Sequence, residues 1–125
     1  MFHFFRLSLV AFLLTCIACQ ESTPEAKLEE DTWNWGFNIV QEQEKVVLMI
    51  DMLKAGNYPA SVVNLEWLIK ENPQLHPSIY DDGQRVYQGL IDEAEDKAVR
   101  LRWESKKAKL SRLKEKYFPD APANE

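Results

Sequence analysis

The sequence predicts an all-α fold, and three observations carry that expectation. Apolar residues recur at helical spacing through three long stretches. Gly56, Pro59 and Pro73 fall between those stretches, where they punctuate rather than interrupt. The composition, 46% hydrophobic and 28% charged over 125 residues, is that of one small globular domain. The expected architecture is a helix-turn-helix hairpin followed by a long C-terminal helix.

The chain opens with a segment that reads as an address. Arg6 precedes an apolar run from Leu7 to Ala18, and Cys19 and a polar, acidic stretch follow. That run falls short of the roughly 20 apolar residues of a membrane span and has the length of a secretory h-region. Ala18 directly before Cys19 resembles the processing site of bacterial lipoproteins, in which the signal is cut before a diacylated cysteine. The resemblance implies residues 1–18 as signal peptide, Cys19 as the lipidation site and residues 19–31 as a lipidated, flexible tether. Cys16, three residues earlier, stands where the family usually has Leu and is the competing site. An ordinary signal peptide or an uncleaved anchor is the alternative. Gln20, in place of an Asp retention signal, points by the same resemblance to the outer membrane, with the chain facing the periplasm. Acyl chains at about 0.8 kcal/mol per buried methylene hold such a protein at a bilayer. No cysteine lies beyond Cys19, so the processed chain has no internal disulfide to form.

The helical domain is expected over 32–118, with helices near 32–55, 59–72 and 78–117 and a disordered tail at 119–125. Thr32 is placed to cap the first helix, in which apolar residues recur at Trp33, Phe37 and Val40 and again at Ile39, Val46, Ile50 and Leu53. Gly56 offers the left-handed C-cap position that a Cβ disfavours. Pro59 opens the second helix, where its missing N–H costs nothing. Val62, Leu65, Leu68 and Ile69 form the inner face, and Asn72-Pro73 stops it.

This segment resembles the second half of a tetratricopeptide repeat. Gly56 and Tyr58 match the inter-helix Gly-x-Tyr, Pro73 matches the closing proline, and their separation is that of the family. Leu65 falls at the aromatic position, and Ser61 and Leu68 fall at small-alanine positions. In the first helix Leu48 fits, whereas Met49 replaces a small residue and Lys45 the tryptophan. One repeat-like hairpin covers about a quarter of the chain, and an unrelated αα-hairpin with the same turn chemistry is the alternative. Arrays of this kind usually need three or more units, so another element has to complete the hairpin.

Pro77-Ser78 with Asp81 three residues on suggests a capping-box-like start to that element. A helix from there to Tyr117 would be about 60 Å long, so its second half either projects or folds back. Its apolar stripe shifts round the helix after Leu101. Charge divides at the same place. Residues 20–96 carry sixteen acids and five bases, and residues 97–116 carry nine bases and two acids. The i,i+4 pairs Glu93–Lys97 and Asp96–Arg100 and the helix dipole account for part of this pattern. The functional expectation is that the basic segment, including Arg100, Arg102, Lys106, Lys107 and Lys109, meets an acidic protein or an anionic lipid surface. Nucleic acid is not expected as a partner.

No catalytic constellation is legible, and neither cofactor nor metal is expected. His3 falls in the signal segment, and His76 beside Pro77 reads as an exposed turn residue. No G-x-S-x-G or H-E-x-x-H occurs. Asp81-Asp82 and the run Asp92, Glu93, Glu95, Asp96 read as solvated helix faces rather than as a calcium loop. Four tryptophans are many for this length, and Trp is enriched at interface hot spots. Trp67, with its neighbour Val63, and Trp103 are the candidate partner contacts, and Trp67→Ala is expected to weaken capture of the partner without changing melting. The functional expectation is a non-catalytic interaction or scaffold subunit of an envelope complex of the outer-membrane assembly, secretion or pilus type. The competing expectation is an inhibitor or immunity-type lipoprotein that neutralises one enzyme or toxin.

Overall fold

Four helices follow one another between Trp33 and Ala121, the residues described by this computed structural model: α1 (Ile39–Lys54), α2 (Tyr58–Glu71), α3 (Pro77–Glu93) and α4 (Lys97–Tyr117). The signal segment, Cys19, the tether and Thr32 lie outside the described residues. Within them all regular structure is helical.

The first helix begins seven residues later than expected, and hydrogen bonding supplies the reason. Trp33 to Gly36 runs across the α2–α3 turn instead of coiling. The Asn34 N–H donates to Leu75 O at 2.8 Å, and Asn72 Nδ2 donates to Asn34 O at 2.8 Å. Glu42 closes the strap. Its buried carboxylate accepts the Gly36 N–H at 2.7 Å and Asn72 Nδ2 at 3.3 Å. Backbone groups satisfied in this way do not need a helical turn. Trp33 stacks between Trp35, at 5.2 Å, and the His76 ring, at 4.3 Å.

The α1–α2 turn is built by local chemistry. Gly56 has φ +72°, and Asn57 Oδ1 caps α2 by accepting the Ala60 N–H at 3.3 Å. Ser61, fully buried, donates from Oγ to Met49 O at 2.7 Å, so a small polar side chain lets α2 approach α1. Met49, Leu65, Leu68 and Val86 expose nothing and form the centre of the core with Ile79 and Tyr80. Burial pushes the Tyr80 phenol up to about 12, with Tyr117 adding to the shift, so it stays a donor, to Pro73 O at 2.6 Å.

The start of α3 differs from the expected capping box. His76, not Ser78, is the N-cap, and its Nδ1 accepts the Ser78 N–H at 3.1 Å. Asp81 turns instead toward Lys114 Nζ, at 2.6 Å. His76 is therefore half-buried rather than an exposed turn residue. Burial holds its pKa below the ordinary 6.5, against the pull of Asp81. The unfolded chain then binds this proton more readily, so the contribution of His76 is complete above pH 6.5 and is lost as pH falls through the lower folded value. Melting temperature is expected to fall between pH 7 and pH 5 more steeply in the wild type than in His76→Asn, which keeps a capping oxygen and cannot titrate. Equal slopes would remove His76 as the cause.

The expected single helix over 78–117 is two. Ala94 is extended, Asp96 Oδ1 caps α4 by accepting the Ala98 N–H at 2.8 Å, and Arg100 Nη2 donates to Ala94 O at 3.2 Å. Those two hydrogen bonds and the extended Ala94 hold a corner, and α4 folds back along α3. Folding back buries Leu110 and covers part of Trp103, Leu113 and Tyr117 against the core, which an extended arm would leave in water. Neither expected pair forms among the described residues: the corner separates Glu93 from Lys97, the Asp96 carboxylate turns to the Ala98 N–H, and the Arg100 guanidinium turns to Ala94 O. The described part of the C-terminal tail, Pro119 to Ala121, makes a turn closed by the Ala121 N–H on Phe118 O at 3.2 Å.

Candidate functional site

Helices α2 and α4 both lie on α3, and a groove runs between them. Two glycines of α3 allow the close approach. Leu110 of α4 sits over Gly83, and the Tyr58 ring of α2 lies over Gly89. The groove holds two depressions. The first, about 390 Å³, has a floor of Tyr87 and Leu110 and walls of Ile69, Leu113 and Tyr117. The second, about 420 Å³, lies toward the α3–α4 corner, where Val62, Leu90, Val99 and Trp103 meet. Both are apolar below and charged above.

The rim is mostly basic. Lys70 of α2 and Lys106 and Lys109 of α4 line the first depression beside one acid, Glu66. Arg102 and Glu93 edge the second. Lys106 Nζ reaches Glu66 Oε1 at 2.6 Å, so an ion pair crosses the groove at the end of the first depression that lies toward the second. Both side chains are about half exposed, so the pair adds little stability. It acts as a ridge. Beneath it the Tyr87 hydroxyl donates to Glu66 Oε1 at 3.5 Å. Burial, with the Glu66 charge beside it, raises the Tyr87 phenol well above its ordinary value, which keeps it neutral. Trp103 packs on Tyr87 with ring centroids 6.1 Å apart, and its ring carries Arg102 at 5.1 Å and Lys106 at 5.4 Å.

The folded chain sorts the expected contact residues into separate groups. Trp103, Arg102, Lys106 and Lys109 gather on the groove side of α4. Lys107 points to α3 and donates to Gln88 Oε1 at 2.7 Å, while Arg100 is used at the corner. Val63 and Trp67 belong elsewhere. Val63 is 64% exposed, and the Trp67 ring lies 5.7 Å from Lys45 Nζ of α1. Trp67 also packs partly on the core, so its truncation removes core contacts as well as any surface it offers. The basic segment is therefore no free arm. Its cations stitch α4 to α2 through Glu66 and to α3 through Gln88 and Asp81.

Residue types alone did not single out Lys70, Ile69 or Tyr87 as neighbours of the basic segment. The one available signal was the Leu110–Leu113–Tyr117 spacing, which marks a face but not what it faces. The acids of α3 are engaged as well. Asp82 accepts Arg85 Nη1 at 2.9 Å, and burial raises its carboxyl against the pull of that guanidinium. Asp92 accepts from Gln88 Nε2 at 2.8 Å.

Among the described residues no three His, Cys, Asp or Glu side chains converge as a metal site, and no helix is long and apolar enough to cross a membrane. Comparison of the chain with protein-family models, with curated proteins and with solved structures gives no match.

Proposed function

We propose that this protein is a lipid-anchored, non-catalytic interaction subunit of a bacterial envelope complex, held through Cys19 and facing the periplasm from the outer membrane. The observation that carries this reading is the open groove between α2 and α4, apolar at its floor and lysine-rich at its rim. Apolar surface left accessible beside organised charge is what docking sites offer. The lipoprotein-like signal supplies the address, and the repeat-like turn residues Gly56, Tyr58, Pro59 and Pro73 agree with a helical scaffold.

The test is affinity capture of the full-length chain from gently solubilised native membranes, with mass spectrometry of bait and prey. The expected result is a stoichiometric set of envelope proteins together with an N-terminal peptide carrying acyl mass on Cys19. A single soluble enzyme or toxin in a one-to-one complex would replace the scaffold reading with that of an inhibitor. An intact Met1 would remove the anchor.

A further inference from the structure

The two depressions of the groove are related by a regular interval. Along α2 their lining shifts from Pro59 and Val62 to Glu66, Ile69 and Pro73. Along α4 it shifts from Val99, Arg102 and Trp103 to Lys109, Leu110 and Leu113. Both steps are about nine residues, or about 14 Å at 1.5 Å per residue. The Glu66–Lys106 ridge spans the groove at the end of the first depression nearer the second. A single acyl chain laid in the groove would have to cross that ion pair. A helix does not, because its anchors at i, i+3, i+4, i+7 and i+11 come from separate turns and leave gaps between them.

Charge supplies the second constraint. Arg102, Lys106 and Lys109 follow one another at intervals of four and three along the groove side of α4, with Lys70 facing them from α2. Lys106 alone of these four has a carboxylate partner among the described residues. A helix seated between α2 and α4 would run beside this row.

We propose that the groove receives one acidic amphipathic helix of a partner protein, with apolar side chains seated in the two depressions and carboxylates aligned with Arg102, Lys106 and Lys109. The inference rests on the reading of the protein as an interaction subunit, and it names the chemistry of the partner.

The test uses the isotopically labelled full chain in nonionic detergent. Three probes are titrated separately. The first is a capped helical peptide of about 16 residues, some 24 Å, with Leu on one face and Glu on the flank. The second is the same peptide with Lys for Glu. The third is vesicles of anionic phospholipid. The expected result is saturable binding of the Glu peptide, with amide shifts centred on Ile69, Lys109, Leu113 and Trp103. Added salt should weaken it. Arg102→Glu and Lys109→Glu should each weaken it about ten-fold by setting like charge opposite like charge, with melting unchanged because both side chains are exposed. Equal binding of the Lys peptide, shifts confined to α1, where Val40 and Val47 are exposed, or no binding would overturn the proposal. Vesicle binding through the same cations with no response to the peptide would assign the row to a membrane surface instead. Membrane capture separates the two levels. A complex retained by the Lys109→Glu chain sinks the groove while the subunit reading stands, and no complex with the wild-type chain sinks the reading itself.

Discussion

Leu110→Ala is expected to destabilise the protein by about 2–5 kcal/mol, and α4 should loosen before the α1–α2 hairpin does. Leu110 is 3% exposed and is the residue of α4 that enters the core. Its Cδ2 fills the notch over Gly83, 2.7 Å from where a Cβ on that glycine would stand. Removing it leaves α4 held by half-buried Trp103, Leu113 and Tyr117 and by ion pairs of at most about 1 kcal/mol each. The remainder of α4 is strongly polar, and a helix of this kind draws its stability from packing rather than propensity. Denaturant melts followed by amide exchange test both statements. Unchanged stability, or protection lost evenly along the chain, would show that α4 is anchored elsewhere.

Gly89→Ala is expected to destabilise by about 2 kcal/mol, although alanine is the better helix former by about 1 kcal/mol. An added Cβ would stand 2.3–2.4 Å from three ring atoms of Tyr58. The ring covers the glycine, so either the Tyr58 side chain leaves its packed position or α2 moves away from α3. Overpacking of this kind costs typically 1–3 kcal/mol and occasionally more. For a domain of this size, about 2 kcal/mol corresponds to a fall of roughly 10 °C in Tm. Tyr58→Leu in the same chain should recover part of the loss, because the steric conflict is pairwise and the two substitutions will not add. A Gly89→Ala chain that melts at or above the wild-type temperature would place propensity above packing here.

Both experiments concern α3, the helix on which the other elements meet. Its two glycines read locally as weak points in a long helical pattern. In the fold they are the sites where α2 and α4 come closest. A lone sequence cannot separate these meanings, since a glycine records the absence of a side chain and not the neighbour that required it. Trp67 makes the same point from the other side. Large and aromatic, it suggested a partner contact, yet the folded chain turns part of it to the core and places Lys45 over its ring.

The corner at Ala94 to Asp96 was half legible. Asp96 is a good N-cap residue and the apolar stripe shifts phase after Leu101, so two local signals lay at the break. The charge pattern argued the other way, because acids followed by bases four residues on suit one continuous helix. The corner gave up the i,i+4 pairs, each about 0.2–0.5 kcal/mol. What it gained was burial of Leu110, with partial cover of Leu113, Tyr117 and Trp103, and a buried Leu side chain is worth about 1.5–3 kcal/mol by itself.

Local chemistry therefore settled the all-α class, the Gly56 turn, the start of α2 at Tyr58-Pro59 and its stop before Pro73. In each case the deciding interactions lie within five residues, so they are written in neighbouring letters. Tertiary structure alone decided where α4 lies, which cations face α2 and which face α3, that Trp33 to Gly36 forms a strap, and that a groove exists. Those outcomes depend on contacts between residues twenty to forty positions apart, such as Lys106 with Glu66 and Asn34 with Gln74. Long-range burial and hydrogen bonding of this kind outweigh the fractions of a kcal/mol carried by local charge order.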